Sequence, residues 1–248
     1  MKRYKAVTLL ELLIVIAIMF ILSLISVIAY RSLVDSFSIN EVSLTIAQDI
    51  RATQRAAMLL DREGDERWLH GIGIDFRDIN TDRGDRDLGR EYTIFKWCSK
   101  FDYYDQTESE LTGEAPNLAL GENPVGEGSL SLNVVNSCLR YGEDERVNAY
   151  YPVETKSFTS YDNLEFELLD IVAFVLFESV SGKAFFYDEH GSLLNYGVNS
   201  EGELFLFNTN ELHFFELRLE PMRGLGLPGR NIVITPVSGI ANLEVDEQ

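Results

Sequence analysis

The chain predicts an α+β fold: one long N-terminal α-helix, half transmembrane and half amphipathic, packed on a mainly antiparallel β-sheet head. Three observations carry this reading. Neither Gly nor Pro occurs before Gly64, so nothing in that length breaks a helix. Apolar residues run almost unbroken through the first half of the stretch and recur every three or four positions through the second. After Gly64, short runs rich in β-branched and aromatic residues alternate with turn residues. No helix-length periodic segment separates them, as parallel crossovers would require.

The helix begins with a basic head, Lys2, Arg3 and Lys5. From Val7 to Tyr30 it is apolar apart from Thr8, Ser23, Ser26 and one ionisable residue, Glu11. A carboxylate inside a hydrophobic span costs about 2.5–3.5 kcal/mol at a helix centre, and less near the interface. Leu12 to Ala29 carries no charge, and this is close to the ~20 residues that span a bilayer. A cleaved secretory signal has a shorter apolar core of about 7–15 residues, although Val27-Ile28-Ala29 has the form of its cleavage site. A plain single-pass anchor fits the length, and the cations before the span predict N-in, C-out. Neither accounts for Glu11.

The stretch Lys5 to Ile18, KAVTLLELLIVIAI, resembles the leader and mature N-terminus of the type IV pilin and pseudopilin family. The resemblance covers about 25 residues, with the spacing of the acid from the head as its specific feature. It implies a prepilin peptidase cut between Ala6 and Val7, methylation at Val7, and Glu11 as the fifth mature residue. Ala6 and Val7 stand where the family usually has Gly and Phe. The new α-amino group at Val7 would be cationic near neutral pH, with a reference pKa of about 7.7–8.0. Residues four apart share a helix face, so Val7 and Glu11 can pair within one chain or between neighbours. Pairing between neighbours makes Glu11 an assembly determinant. The other reading of Glu11 is a side chain that snorkels to the membrane surface.

Beyond the membrane, Ile39, Val42, Ile46, Ile50, Thr53, Ala57 and Leu60 mark one face. Asp35, Glu41, Gln48, Arg51, Arg55 and Arg62 fall mostly on others. A helix from Val7 to Leu60 would be about 80 Å long, with Gly64 as its cap. The expected strands are 69–76, 91–98, 129–135, 164–169, 171–178, 183–188, 204–208, 212–219, 231–235 and 239–245. Ile171 to Phe177 lacks alternation and reads as buried on both faces. Residues 99–128 and 140–160 read as long loops. The boundaries expected are 1–6 for a removed leader, 7–30 for the span, 31–62 for the amphipathic helix and 63–248 for an extracytoplasmic head.

The 248 residues carry a net charge of −19, and without Lys2, Arg3 and Lys5 the balance is 18 Lys+Arg against 40 Asp+Glu, or −22. Such an exterior argues against binding nucleic acid, and the basic stretch from Arg218 to Arg230 is interleaved with Glu220. Cys98 and Cys138 can form a disulfide if the head lies outside the membrane, or remain two buried thiols. No zinc spacing is present. Asp78, Asn80 and Asp82 have the spacing of a calcium loop, but Arg83 stands at the turn that needs Gly and no Glu closes the loop. A solvated hairpin is the stronger reading. His190, Gly191 and Ser192 follow Asp188 in a turn, and no nucleophile, metalloprotease or phosphate-loop motif occurs, so no catalytic residue and no cofactor is expected.

The head is similar to the H-type minor pseudopilins at residues 51–57, at Phe177 to Lys183 as strand–turn–strand, and around Ile232 to Ile240. The resemblance implies a structural subunit of a type IV pilus or type II secretion pseudopilus, at the tip or as initiator. Its partners would be the prepilin peptidase, other pilins, the inner-membrane assembly platform and the membrane itself. The alternative is a membrane-anchored binding or adhesion module that never polymerises.

Overall fold

The computed structural model describes residues 9–59, 69–80, 89–98, 130, 132, 134–136, 138, 149–194, 196–198, 204–206, 213–222, 228–235 and 239–245. Helix α1 runs from Leu9 to Met58, 50 residues or about 75 Å. Eleven strands follow among the described residues: β1 Leu69–Asp75, β2 Glu91–Cys98, β3 Ala149–Ser157, β4 Leu164–Leu168, β5 Phe174–Glu178, β6 Ala184–Tyr187, β7 Tyr196–Val198, β8 Leu204–Leu206, β9 Phe215–Pro221, β10 Arg230–Ile234 and β11 Ala241–Val245. They form a five-stranded sheet β3-β2-β1-β5-β6, a four-stranded sheet β11-β10-β9-β4 and the pair β7-β8. Every strand pairing is antiparallel.

The second half of α1 is the spine of the head. Its buried residues include Ile39, Val42, Ile46, Ile50, Thr53 and Ala57, the face that the spacing predicts. They share a core with Ile72, Ile74, Val175 and Phe177 of the larger sheet, and with Phe166, Leu217, Ile232 and Ile234 of the smaller one. Alternation along each strand sends the other set of side chains to the far face. There Phe95, Trp97, Tyr150, Phe174, Phe185 and Tyr187 build an aromatic layer with Leu130. Gly73 fits under that layer because it has no side chain. A Cβ would lie 2.6 Å from the Val175 carbonyl oxygen and 2.7 Å from the Phe95 ring.

Five expectations are corrected. Of residues 129–135, the described positions 130, 132, 134 and 135 form no strand, and Val134 makes only an isolated parallel bridge to Tyr150. The loop expected at 140–160 contains β3. This strand lies at a sheet edge and exposes Val153 to Thr155, so it lacks a core pattern. It carries Pro152 where the register shifts between Ile94 and Phe95, a place where a missing N–H is tolerated. Ile171 is exposed, and two-sided burial begins at Val172. Strand β7 was not anticipated. Asp35 is buried, on the core stripe rather than off it. Leu60, Arg62, the Gly64 cap, the loop 99–128 and Leu212 lie outside the described residues.

Candidate functional site

From Leu9 to Tyr30 every residue of α1 is exposed, so no described part of the head buries this half of the helix. It is the one helix among the described residues that is long and apolar enough to cross a membrane. Its two serines are accommodated locally. Ser23 Oγ donates to the Met19 carbonyl and Ser26 Oγ to the Leu22 carbonyl, both at 2.8 Å, so neither hydroxyl needs water. Glu11 occupies the first turn, where the positive end of the helix dipole favours a carboxylate. Ala6 and Val7 lie outside the described residues.

The head grips the other half of the helix through polar contacts on either side of the apolar stripe. Asn163 Nδ2 donates to Asp35 Oδ1 at 2.7 Å where the helix enters the head. One turn on, the Arg230 guanidinium donates to Asn40 Oδ1 at 3.1 Å. Tyr92 donates its phenol to Asp49 Oδ2 at 2.5 Å, and Lys156 Nζ lies 3.4 Å from the same oxygen. Burial, then the hydrogen bond and the negative charge of Asp49, push the Tyr92 phenol well above its ordinary range. Arg51 Nη2 donates to the Ala241 carbonyl and Gln54 Nε2 to the Gly182 carbonyl. A rod that projects from the head at one end is thereby fixed at several points along the other. Such a part can carry load between a membrane and a head.

The sequence-derived chemical candidates do not converge. The Asp78 carbonyl accepts from the Glu91 N–H, and Asn80 lies on an open cleft of about 430 Å³ with Asp170, Asp188 and Glu189. Asp82 is outside the described residues, among which no three His, Cys, Asp or Glu side chains group as a metal site. Nearby Asp75 is engaged with Arg77 at 2.8 Å and with the Tyr150 phenol at 3.1 Å. The Asp188 carboxylate accepts the backbone N–H groups of His190 and Ser192, which is turn chemistry. Of the basic stretch, Arg218 faces Glu167 and Glu220, and Arg230 is on Asn40. Arg223 is outside the described residues. Cys98 and Cys138 form a disulfide with Cα atoms 5.5 Å apart, which ties the end of β2 to a residue forty positions on.

Sequence reasoning missed Asp35, Asn40 and Asn163 as anchoring residues. A signal existed for Asp35: it stands four residues before Ile39, in line with the buried stripe. Asn163 carried none, because its role depends on a contact 128 residues away.

Residues 1–27 match the model of the prokaryotic N-terminal methylation motif. No curated protein and no solved structure matches the chain significantly. The motif implies processing by a prepilin peptidase and assembly with other pilins, and with the long apolar helix it fits an anchor in the inner membrane. That motif, continued by one helix laid along antiparallel sheets, supports a type IV pilin-like protein.

Proposed function

We propose that this chain is a minor pilin or pseudopilin, assembled through its N-terminal helix into a type IV pilus or type II secretion pseudopilus. It acts at the tip or as initiator, and its head is of the H type. One observation carries the reading: Glu11 is the single ionisable residue of the apolar span, in the first turn of a helix exposed on every side. A carboxylate in lipid or in a bundle of apolar helices demands a cationic partner, and a cut between Ala6 and Val7 creates one a turn away. The large acidic head favours a minor subunit, since a major one packs many copies side by side and like charges repel.

Within this reading residues 1–6 are removed, 7–30 span the membrane with the N-terminus inside, and 31–62 carry the head, 63–248, outside. Co-expression with a prepilin peptidase tests it. A mobility shift and a new, methylated N-terminus at Val7 are expected. Retention of Met1 to Tyr4 would instead support the anchored, non-polymerising binding module.

A further inference from the structure

We infer that a groove on the head binds a single carboxylate carried by a peptide with apolar neighbours. It lies between α1 and the β10–β11 turn, encloses about 480 Å³ and is lined by Gln48, Arg51, Gln54, Arg55 and Ile240. The turn is pressed onto the helix: a Cβ on Gly239 would lie 2.7 Å from Gln54 Nε2 and 3.0 Å from the Phe177 ring. Arg51 Nη2 donates to the Ala241 carbonyl at 2.8 Å, and Arg55 Nε to the Arg51 carbonyl at 3.3 Å. Both guanidinium groups are thereby positioned in advance, which lowers the ordering cost of binding.

Arg51 and Arg55 are one helical turn apart, an arrangement in which like charges destabilise a helix. Among the described residues no carboxylate lies within ion-pair distance of either, although Asp and Glu outnumber Lys and Arg by 40 to 21. Arg51 Nη1 and both Nη atoms of Arg55 also lack a hydrogen-bond partner among the described residues. The helix dipole does not account for the pair. Its effect is confined to the last turn, whereas Arg51 lies two turns before Met58, and the Val180 N–H already satisfies the Ala57 carbonyl.

A carboxylate between two guanidinium groups can accept from both, since its two oxygens offer about four acceptor sites. Beside the cations Ile240 is 51% exposed, so an apolar side chain next to the carboxylate has surface to cover. Other anions fit less well. Arg51 stands about 30 Å along the helix beyond Tyr30, where the exposed apolar run ends. A bilayer that takes up that run is several Debye lengths away, which excludes anionic lipid. Two cations release too few counterions to hold a nucleic acid against a chain of net charge −19. A peptide with one carboxylate carries little charge, and the acidic exterior repels it little.

The test uses the full, unprocessed chain in detergent, with a photoreactive benzoylphenylalanine in place of Gln48. The probe is an end-blocked synthetic peptide of leucine and serine with one central glutamate. Cross-links to this peptide, read by mass spectrometry, are expected. Glutamine in place of the peptide's glutamate should lower the yield roughly ten-fold, the scale of a lost charge-assisted hydrogen bond. Arg51→Gln with Arg55→Gln should lower it similarly, with far-UV circular dichroism showing that the variant folds. The two peptides are compared on one head, so that comparison decides even where the variant misfolds. Absence of cross-links, equal yields from the two peptides, unchanged yield in the folded variant, or displacement of the peptide by an equimolar DNA duplex would each overturn the inference. None of these results depends on cleavage before Val7, so failure here leaves the prepilin reading untouched.

Discussion

The backbone N–H of Val180, at the tip of the β5–β6 hairpin, donates to the Ala57 carbonyl at 3.2 Å. Ala57 lies in the last turn of α1, where carbonyls have no intrahelical partner. A strand turn thus caps the spine from 123 residues away. Gln54 secures the same turn by donating to the Gly182 carbonyl. To reach Ala57, Val180 takes φ 72°, a left-handed conformation that a β-branched residue rarely adopts.

That strain predicts a stabilising substitution. Val180→Gly removes the Cβ penalty of about 1–2 kcal/mol in the left-handed region. It loses little burial, because Val180 is 58% exposed. The melting temperature should rise in thermal unfolding followed by circular dichroism. Gly182→Ala should do the reverse: φ is +66°, and a Cβ would lie 2.5 Å from Met58 Cγ.

Asp35 and Asn163 join the projecting rod to the head. Asn163→Ala leaves a buried carboxylate without its 2.7 Å donor, at a cost of about 1–3 kcal/mol. Urea unfolding of the chain in detergent, followed by the fluorescence of the buried Trp97, reads this as a lower midpoint. An unchanged midpoint would remove Asp35 from the anchoring set.

The disulfide closes a loop between residues 40 apart in sequence. Chain entropy for that separation corresponds to about 4 kcal/mol, and native relaxation commonly reduces what is measured. Cys98→Ser with Cys138→Ser should therefore lose roughly 2–4 kcal/mol in denaturant titration. Reduction of the parent chain should shift its midpoint in the same direction.

Alkaline pH should unfold the head. Burial and the neighbouring carboxylates Asp49 and Asp75 raise the phenols of Tyr92 and Tyr150 far above the ordinary tyrosine value. The folded state keeps these protons when the unfolded state has released them. Their contribution is fully present below about pH 10, the unfolded value, and is lost as pH rises above it. Tyrosinate absorbance and far-UV circular dichroism should change together, and Tyr92→Phe should weaken the dependence.

Glu11→Val removes the costly group from the apolar run and should leave membrane insertion intact. Under the proposed function it should also lower incorporation into fibres by roughly ten-fold or more, equivalent to about 1.4 kcal/mol of lost pairing. Shear fractionation of co-expressed pilins measures the ratio of fibre-bound to membrane-bound chain. Equal incorporation would refute the pairing role.

The helix could be read from sequence because its causes are local. An unbroken run without Gly or Pro, an apolar first half and a stripe at 39, 42, 46, 50, 53 and 57 each act within a turn or two of the chain. Central strands such as β5 announce themselves by burying both faces. Edge strand β3 does not: Ala149 to Ser157 holds Pro152, Glu154 and Lys156, and what makes it a strand is the ladder offered by β2. The same non-locality hid the anchoring residues. Asp35 is polar by composition and buried because Asn163 comes to it. Val180 is a poor turn residue, held in place because the end of a helix lies opposite. The two cysteines allowed a bridge or two separate thiols, and only the approach of their Cα atoms to 5.5 Å selects the bridge. Sequence alone therefore determined the spine, its apolar half and the placement of Glu11, all set by neighbours along the chain. Tertiary structure decided which polar groups hold the spine in the head and which edges become strands, since those choices rest on contacts between residues far apart in sequence.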